Sequence, residues 1–277
     1  MPLPLAVALT GAFTGALGLA AAATAAAQTL RYGGEAGAGQ AYTRIQEDHV
    51  RQIVDGSEQK VDIRSDWRFS IRIAAENSES LTIEIVHDSI SVTGSPSGDA
   101  DFAGLYGKPV VVVLGRRGEV RSIDLPESLP VPAARLGLET TYRTFFPVLP
   151  MEPISPGTTW ADTTRVSSDQ NGLDINVERV NRYTAHGPAP YAGGEALRID
   201  YVTAIELDGG GSQQGAAVSL SGSGSGNGSF YFDVEGGRYL GGSETTEVKM
   251  DAFVASGGQN ILIPIVTTRT ETVALTD

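Results

Sequence analysis

The chain of 277 residues contains no cysteine. This absence excludes disulfide bonds, thiolate catalysis, and zinc or iron–sulfur sites built on cysteine. It also excludes a lipoprotein anchor, which needs a cysteine that can be acylated behind the leader. With 41% hydrophobic residues, the chain is long enough to build a sizeable core for one large domain or two small ones.

Lysine is scarce, at positions 60, 108 and 249 alone, and the formal net charge is −13. Phosphate binding depends on clustered Lys and Arg, so this charge argues against a nucleic-acid partner. It also disfavours electrostatic docking on anionic lipid. The chain is instead rich in Ser and Thr, with 34 Gly and 14 Pro, a composition typical of turn-rich β structure rather than of a helical bundle.

Only the N-terminus carries a long apolar run. It is rich in Ala, Gly and Leu, and it ends in the small residues Ala25-Ala26-Ala27 before Gln28. This pattern predicts a signal peptide over residues 1–27, with export to the periplasm or the extracellular space. An uncleaved anchor helix is the alternative, because no Lys or Arg precedes the run. After cleavage no stretch is apolar enough to span a membrane, and residues 28–277 are expected to form a single β domain.

The clearest strand is Val61–Ala75, where apolar and charged residues alternate over seven pairs. Similar segments are Leu81–Val92, Leu173–Tyr183, Leu197–Leu207, Thr245–Val254 and Ile261–Val273. Val110–Leu114 is apolar throughout, which predicts a short strand covered on both sides. A change of phase near Val86 predicts a β-bulge. Turn signals include Arg117-Gly118, Asp208-Gly209 and Gly236-Gly237.

One helix is predicted, over Ala133–Phe146, in a joining segment, residues 130–156, that contains several prolines. Its flanks, residues 39–125 and 157–275, share landmarks at an offset of 118 or 119 positions. We interpret them as two related halves, although a plain meander with regular turn spacing explains the same landmarks. The fold class is therefore all-β with one short central helix, in which long antiparallel meanders form an open barrel or a sandwich.

A glycine-rich segment, Ala216–Asp233, keeps its alternation of polar and small residues throughout. Four glycines fall on one side of the predicted strand, in phase with two phenylalanines, while serines fall on the other. At about 3.3 Å per residue the strand would be roughly 60 Å long, so it is expected to bend or fold back near Gly224–Gly228. The missing side chains leave a trough, and the candidate ligand-binding residues around it are Gly222, Gly224, Gly226, Gly228, Trp67, Phe69, Phe230 and Phe232.

A bulky neighbour, such as Trp67, Phe69 or the helix, fills this trough in the default interpretation, because natural cores are close-packed. An apolar ligand is the alternative, and a flexible linker is the third.

No motif identifies a reaction. His49, His87 and His186 lack a second ligand at metal-binding spacing, and the Gly/Ser run lacks the spacing of a nucleophile elbow. Arg64, Arg68 and Arg72 form a ladder on one strand face, which cross-strand charge pairing explains. The sequence therefore predicts no catalytic residue, metal site or cofactor.

The segment Phe145–Trp160 resembles the F-P-x-x-P-[VI]-x-x-G-x-x-W segment of a group of uncharacterised secreted bacterial proteins. Those proteins also carry an early G-x-x-Y strand, here Gly39–Tyr42, and a central G-x-V hairpin, here Gly118–Val120. The resemblance implies an envelope location and no particular activity. Long meandering strands around one helix are also similar, more loosely, to the open barrels of lipoprotein-carrier and lipid-binding envelope proteins.

Three hypotheses follow. The first is a non-enzymatic envelope protein that holds an apolar small molecule or a lipid against its curved sheet. The second is a structural or protein-interaction scaffold of the envelope without a ligand, and the third is a carboxylate-based hydrolase. The sequence identifies no protein partner.

Overall fold

The computed structural model describes residues 27–276, apart from positions 38, 55, 95–101, 128, 130–136, 170–171, 214 and 257–258. Residues 1–26 of the predicted signal peptide and the first four residues of the predicted helix therefore lie outside the described residues. Within the described part of the chain, no helix is long and apolar enough to cross a membrane.

Eleven antiparallel strands form one sheet in the described residues, in the order β5-β4-β3-β2-β1-β11-β10-β9-β8-β7-β6. The strands are β1 (Gly39–Val54), β2 (Ser57–Glu76), β3 (Ser80–Thr93), β4 (Pro109–Gly115), β5 (Val120–Asp124), β6 (Thr159–Asp169), β7 (Leu173–Tyr191), β8 (Gly194–Gln213), β9 (Ala216–Asp233), β10 (Arg238–Ser256) and β11 (Gln259–Thr276). One helix, α1 (Leu138–Phe145), follows β5, and a short 3-10 helix spans Ala103–Leu105. The predicted class, all-β with one short helix, is confirmed.

Alternation of side chains explains why these segments are strands. In β2, Trp67, Phe69 and Ile71 are buried, while Arg68 and Arg72 between and beyond them are exposed. The predicted arginine ladder pairs across strands on the outer face: Arg64 contacts Glu47 of β1, and Arg72 contacts Glu84 of β3. β2 thus presents one apolar and one charged side, as a strand of a half-buried antiparallel sheet does.

The predicted bulge in β3 is confirmed at Asp88. Phe69 pairs with His87, whereas the preceding Arg68 pairs with Ser89, so one residue of β3 has no partner on β2. The extra residue shifts the alternation by one position and returns Ile90 to the buried side.

The predicted turn at Asp208-Gly209 is wrong, because β8 continues to Gln213. A Cβ at Gly209 would lie 2.6 Å from the carbonyl oxygen of Asp174 in β7. Glycine here allows two strands to approach closely rather than ending one of them.

The sheet curls until its two edge strands, β5 and β6, are separated by one helix. Cα atoms of α1 lie within 8 Å of both edges, and β1 pairs with the last strand, β11. The result is an open barrel. We call the end that holds the β2–β3, β4–β5 and β9–β10 turns the lower end, and the opposite end the upper end.

The N-terminal segment, residues 27–37, crosses the lower end. Gln28 exchanges two backbone hydrogen bonds of 2.8 Å with Ile154, and the N–H of Gly33 donates to the carbonyl of Gly237 at 3.0 Å. The hydroxyl of the buried Tyr32 donates to the carbonyl of Pro147 at 2.9 Å. These contacts connect the two halves of the meander below the core.

Helix α1 docks on the inner face through aromatic side chains. The Tyr142 hydroxyl lies 2.6 Å from Nε2 of His87, and both residues are fully buried. Burial lowers the pKa of His87 to about 4, so the imidazole is neutral near pH 7 and shares one hydrogen bond with the Tyr142 hydroxyl.

We expect the His87–Tyr142 pair to make the free energy of unfolding depend on pH. An unfolded histidine titrates near pH 6.5, so between pH 6.5 and about 4 the unfolded state binds more protons and the folded state loses about 3 kcal/mol. Replacing both partners, in His87→Phe/Tyr142→Phe, removes this contribution. Urea unfolding of both proteins at pH 7 and pH 4 measures it, and equal losses of stability in the two proteins would contradict the assignment.

Candidate functional site

The inner face of the sheet has three layers. At the lower end lies an aromatic layer, formed by Tyr32, Tyr42, Trp67, Phe69, Tyr142, Phe145, Phe146, Tyr183, Phe230, Phe232 and Tyr239. Above it lies a charged layer, formed by Arg44, Gln46, Asp48, Asp162, Arg179, Asn181, Glu244, Arg269 and Glu271. The inner face above these, which we call the upper apolar face, consists mainly of Val50, Val61, Val166, Ile175, Val177, Ile205, Leu207, Val218, Leu220, Val248, Met250, Ala252, Val254, Ile263 and Ile265.

Gly222, Gly224, Gly226 and Gly228 form a stripe of glycines on the inner face of β9. We call the line along this glycine stripe, where β9 and β10 are in close contact, the crease. A Cβ built at Gly222, Gly224, Gly226 or Gly228 would lie 2.5 to 2.6 Å from a carbonyl oxygen of β10. No side chain is tolerated at such distances, so only glycine allows the two strands to meet at this angle. Cα atoms of β8 and β10 approach within 8 Å of each other across β9, and those of β7 and β9 do so across β8.

The crease brings distant strands together above the aromatic layer. Arg179 of β7 forms an ion pair with Glu244 of β10, although two strands lie between them in the sheet. In a flat sheet these strands would be about 14 Å apart. The guanidinium reaches the carboxylate because the sheet folds over and the glycines between them carry no side chain.

A second set of ion pairs completes the charged layer. Arg44 contacts Glu271 at 2.6 Å, and Arg269 contacts Asp48 at 2.6 Å. Arg44 also lies 4.7 Å from the centre of the Trp67 ring, which places it on top of the aromatic layer.

Glu244 and Glu271 are directly opposite each other on β10 and β11. Burial raises the pKa of Glu244, and Arg179 opposes this shift. Because each carboxylate has its own guanidinium partner, the arrangement is that of structural ion pairs.

The upper apolar face is accessible to solvent. Arg269 lies on the inner face in the middle of β11, yet its side chain is 48% exposed. Most side chains of the upper apolar face are half-buried, whereas those of the aromatic layer are buried. The concave surface therefore has apolar walls and a charged floor that solvent reaches.

The structure places the eight predicted ligand-binding residues in two groups. Gly222 and Gly224 lie in the upper apolar face, and the neighbouring side chains that cover them are Met250 and Val248. Gly226 lies against Thr246, and Gly228 against the hydroxyl of Tyr201.

The four aromatic residues of that set lie in the aromatic layer instead. Phe230 and Phe232 are fully buried at the lower end of β9, and Phe232 contacts Tyr32 edge to face at 5.3 Å. Trp67 and Phe69 belong to β2, four positions from β9 in the sheet order. β9 itself is one continuous strand without the expected fold-back, and its deformation is concentrated at the contact with β10.

The three histidines do not form a site together. His49 pairs with Asp62 at 2.7 Å on the outer face, His87 belongs to the core, and His186 contacts Asp200 at 3.0 Å. His186 lies in β7 rather than in the loop that the neighbouring Gly187-Pro188 suggested, because β7 continues to Tyr191 around a bulge. Among the described residues, no group of three or more His, Asp or Glu side chains is placed to hold a metal ion.

Sequence reasoning missed the charged layer. Its signal was present: Arg44 follows Tyr42 at the period of the inner face, and Arg179 follows Val177 in the same way. Charges in phase with buried residues indicate inward-facing ion pairs. A charged residue within an otherwise apolar alternation is the sign to look for in such strands.

A separate cleft of about 790 Å³ opens at the lower end, between the N-terminal segment and the sheet. Its walls include Ile73 and Ile83, and its rim carries the guanidinium groups of Arg31, Arg116 and Arg238. Two of these guanidinium groups have protein partners: Arg238 pairs with Asp233, and Arg116 donates a hydrogen bond of 3.1 Å to the carbonyl of Tyr32. The contact of Arg116 with Tyr32 helps to hold the N-terminal segment in place.

No protein-family model and no curated protein matches this chain. Among solved structures, OccK2 (OpdF) of Pseudomonas aeruginosa is similar over 88% of this chain and all of its own, with 8% identity and a TM-score of 0.28. A loop-deletion mutant of OmpT, an outer membrane protein of Vibrio cholerae, is similar over 86% of this chain and all of its own, with 6% identity and a TM-score of 0.25. Salmonella typhi OmpF is similar over 87% of this chain and all of its own, with 8% identity and a TM-score of 0.23. Likenesses at this level carry no argument about fold or function.

The crease predicts that β9 tolerates side chains on one face only between Gly222 and Gly228. Gly226→Val forces a Cβ to within 2.5 Å of the Thr245 carbonyl and should cost about 3 kcal/mol or more of unfolding free energy. Ser225→Val, on the exposed face of the same strand, should change the unfolding free energy by roughly 0.5 kcal/mol or less. Urea denaturation measures both, and equal effects would contradict a crease that depends on the missing Cβ.

The ion pair across the crease gives a second prediction. Arg179→Met leaves the Glu244 carboxylate buried without its partner and should destabilise the fold by roughly 3 kcal/mol. Adding Glu244→Gln to the Arg179→Met variant should restore most of the lost stability, because the side chain that stays buried at position 244 is then neutral. A double-mutant cycle in urea measures the coupling, and additive effects would show that the two side chains do not interact.

Proposed function

We propose that this protein is a non-enzymatic envelope protein that binds a lipid or another apolar molecule on the upper apolar face. The observation that supports it is a long concave surface whose apolar side chains stay half-exposed. Closely packed cores bury such side chains fully, as the aromatic layer does. A surface of this kind, bounded by polar groups at one end, has the composition of a ligand site.

The layers suggest how a ligand would lie. Val248, Met250 and Leu220 line the walls beside the glycine stripe, where the covering is thinnest. Arg269 lies at the floor with its guanidinium half-exposed. An acyl chain would therefore contact the walls, and a polar head group would lie towards the floor.

The predicted export supports an envelope location. Residues 1–27 have the composition of a signal peptide, and the outer face of the sheet carries charged pairs such as Arg165 with Glu178 at 2.6 Å. The hydrolase alternative has less support, because Glu244 and Glu271 are each held by an arginine. A scaffold without a ligand is the outcome that the following experiment distinguishes.

The wall variant Met250→Asp tests the proposal. A carboxylate on the wall should weaken binding of the neutral fluorescent probe N-phenyl-1-naphthylamine at least tenfold, because the probe then contacts a charged group. Ser223→Asp adds the same charge on the outer face of β9, opposite Lys249, and should leave binding unchanged. Fluorescence titration measures both affinities.

Equal affinities for Met250→Asp and the unaltered protein would place the probe elsewhere and contradict the site. Native mass spectrometry of protein purified from its own envelope adds a second readout. A co-purifying lipid that is retained by Ser223→Asp and lost by Met250→Asp is expected. No bound species and no probe binding in any of these proteins would favour the scaffold.

A further inference from the structure

The upper ends of four neighbouring strands carry no formal charge. Residues 209–232 and 252–268 contain no Asp, Glu, Lys or Arg, in a chain with a net charge of −13. The upper ends of β8, β9, β10 and β11 fall within these two runs and are adjacent in the sheet. Elsewhere the outer face carries charged pairs, so this end of the sheet differs in chemistry from the rest of the surface.

Large apolar side chains are exposed at this end. Phe253 is 51% exposed and Leu262 47%, and the two are directly opposite each other on β10 and β11. Ile261, which is 37% exposed, faces the other side of the same hairpin. Ile53 of β1, 47% exposed, follows the last residue of β1 that pairs with β11. We call Ile53, Phe253, Ile261 and Leu262 the apolar tip.

We propose that the apolar tip inserts into the surface of a phospholipid membrane. Its side chains project from both faces of the β10–β11 hairpin, and hydrocarbon surrounds both faces, whereas a protein partner covers one. Ile53 is opposite Glu58 of β2, but the other three residues of the apolar tip lie in the uncharged runs. The β10–β11 hairpin can therefore enter the headgroup boundary without desolvating an ion. The negative net charge directs it to zwitterionic rather than anionic lipid.

The size of the apolar tip argues against a second copy as the occupant. Four half-exposed side chains offer on the order of 350 Å², whereas a stable dimer buries about 800 Å² on each partner. An apolar patch of this size is instead typical of a functional contact on a monomer. The inference rests on the tip alone and does not require a ligand on the upper apolar face.

Vesicle flotation with phosphatidylcholine tests the inference. The unaltered protein should float with the vesicles, and Phe253→Ser/Leu262→Ser should weaken this association at least tenfold. Val202→Ser is the matched control, since Val202 is 54% exposed on β8 but lies away from the tip. Vesicles with added phosphatidylglycerol should bind less of the protein. Association that the double variant leaves unchanged, or no association of the unaltered protein, would overturn the proposal.

A second measurement covers the case in which the double variant does not fold. Phe253→Trp places an indole at the tip, while Trp67 is buried and Trp160 is stacked on Tyr183 at 5.1 Å. Brominated phosphatidylcholine should quench the new indole emission, and no quenching would contradict insertion. Sedimentation completes the test: a dimer that Phe253→Ser/Leu262→Ser converts to a monomer would assign the tip to a second copy and overturn the membrane assignment.

Discussion

The close contact between β9 and β10 determines the shape of this protein. Four glycines on one face of β9 let a carbonyl-lined strand approach to a distance at which any Cβ would collide. The sheet folds over at this position far enough for Arg179 of β7 to reach Glu244 of β10. Without the crease, the arginine of β7 could not reach a carboxylate of β10, and the charged layer would keep only its ion pairs between the adjacent strands β1 and β11.

The charged layer separates two environments with different packing. Below it, aromatic rings from the strands, α1 and the N-terminal segment fill the interior; Phe145, for example, contacts both Phe146 and Tyr239. Above it, apolar side chains line a surface that solvent reaches. Buried ion pairs contribute little net stability, because desolvation offsets their attraction. Arg44 of β1 pairs with Glu271 of β11, and Arg179 of β7 pairs with Glu244 of β10. The main effect of these ion pairs is therefore on the register and position of the strands that they join.

The two ends of the sheet serve different purposes. The lower end is tied by backbone hydrogen bonds to the N-terminal segment and is closed by α1 between the two edge strands. The upper end has no such ties in the described residues, and its neighbouring hairpins carry no charge over long runs. The face proposed to bind an apolar ligand thus opens towards the tip proposed to contact a membrane.

The sequence by itself determined the class of the fold. Alternation with a period of two gave the strands, and the phase change gave the bulge at Asp88, because both depend on which residues a single strand can bury. The spacing of Leu138, Tyr142 and Phe145 gave the described part of the helix for the same local reason. The predicted duplication of the two halves stays a prediction.

Only the tertiary structure decided what the glycine stripe does. The alternation predicted a face without side chains, but whether that face is a trough or a crease depends on how closely β10 approaches, which no local pattern encodes. The turn misplaced at Asp208-Gly209 has the same origin, since glycine there serves contact with β7 and not a reversal of the chain. The Arg179–Glu244 pair of the charged layer likewise needed the sheet to fold over, because the two residues are 65 positions apart and meet only across the crease.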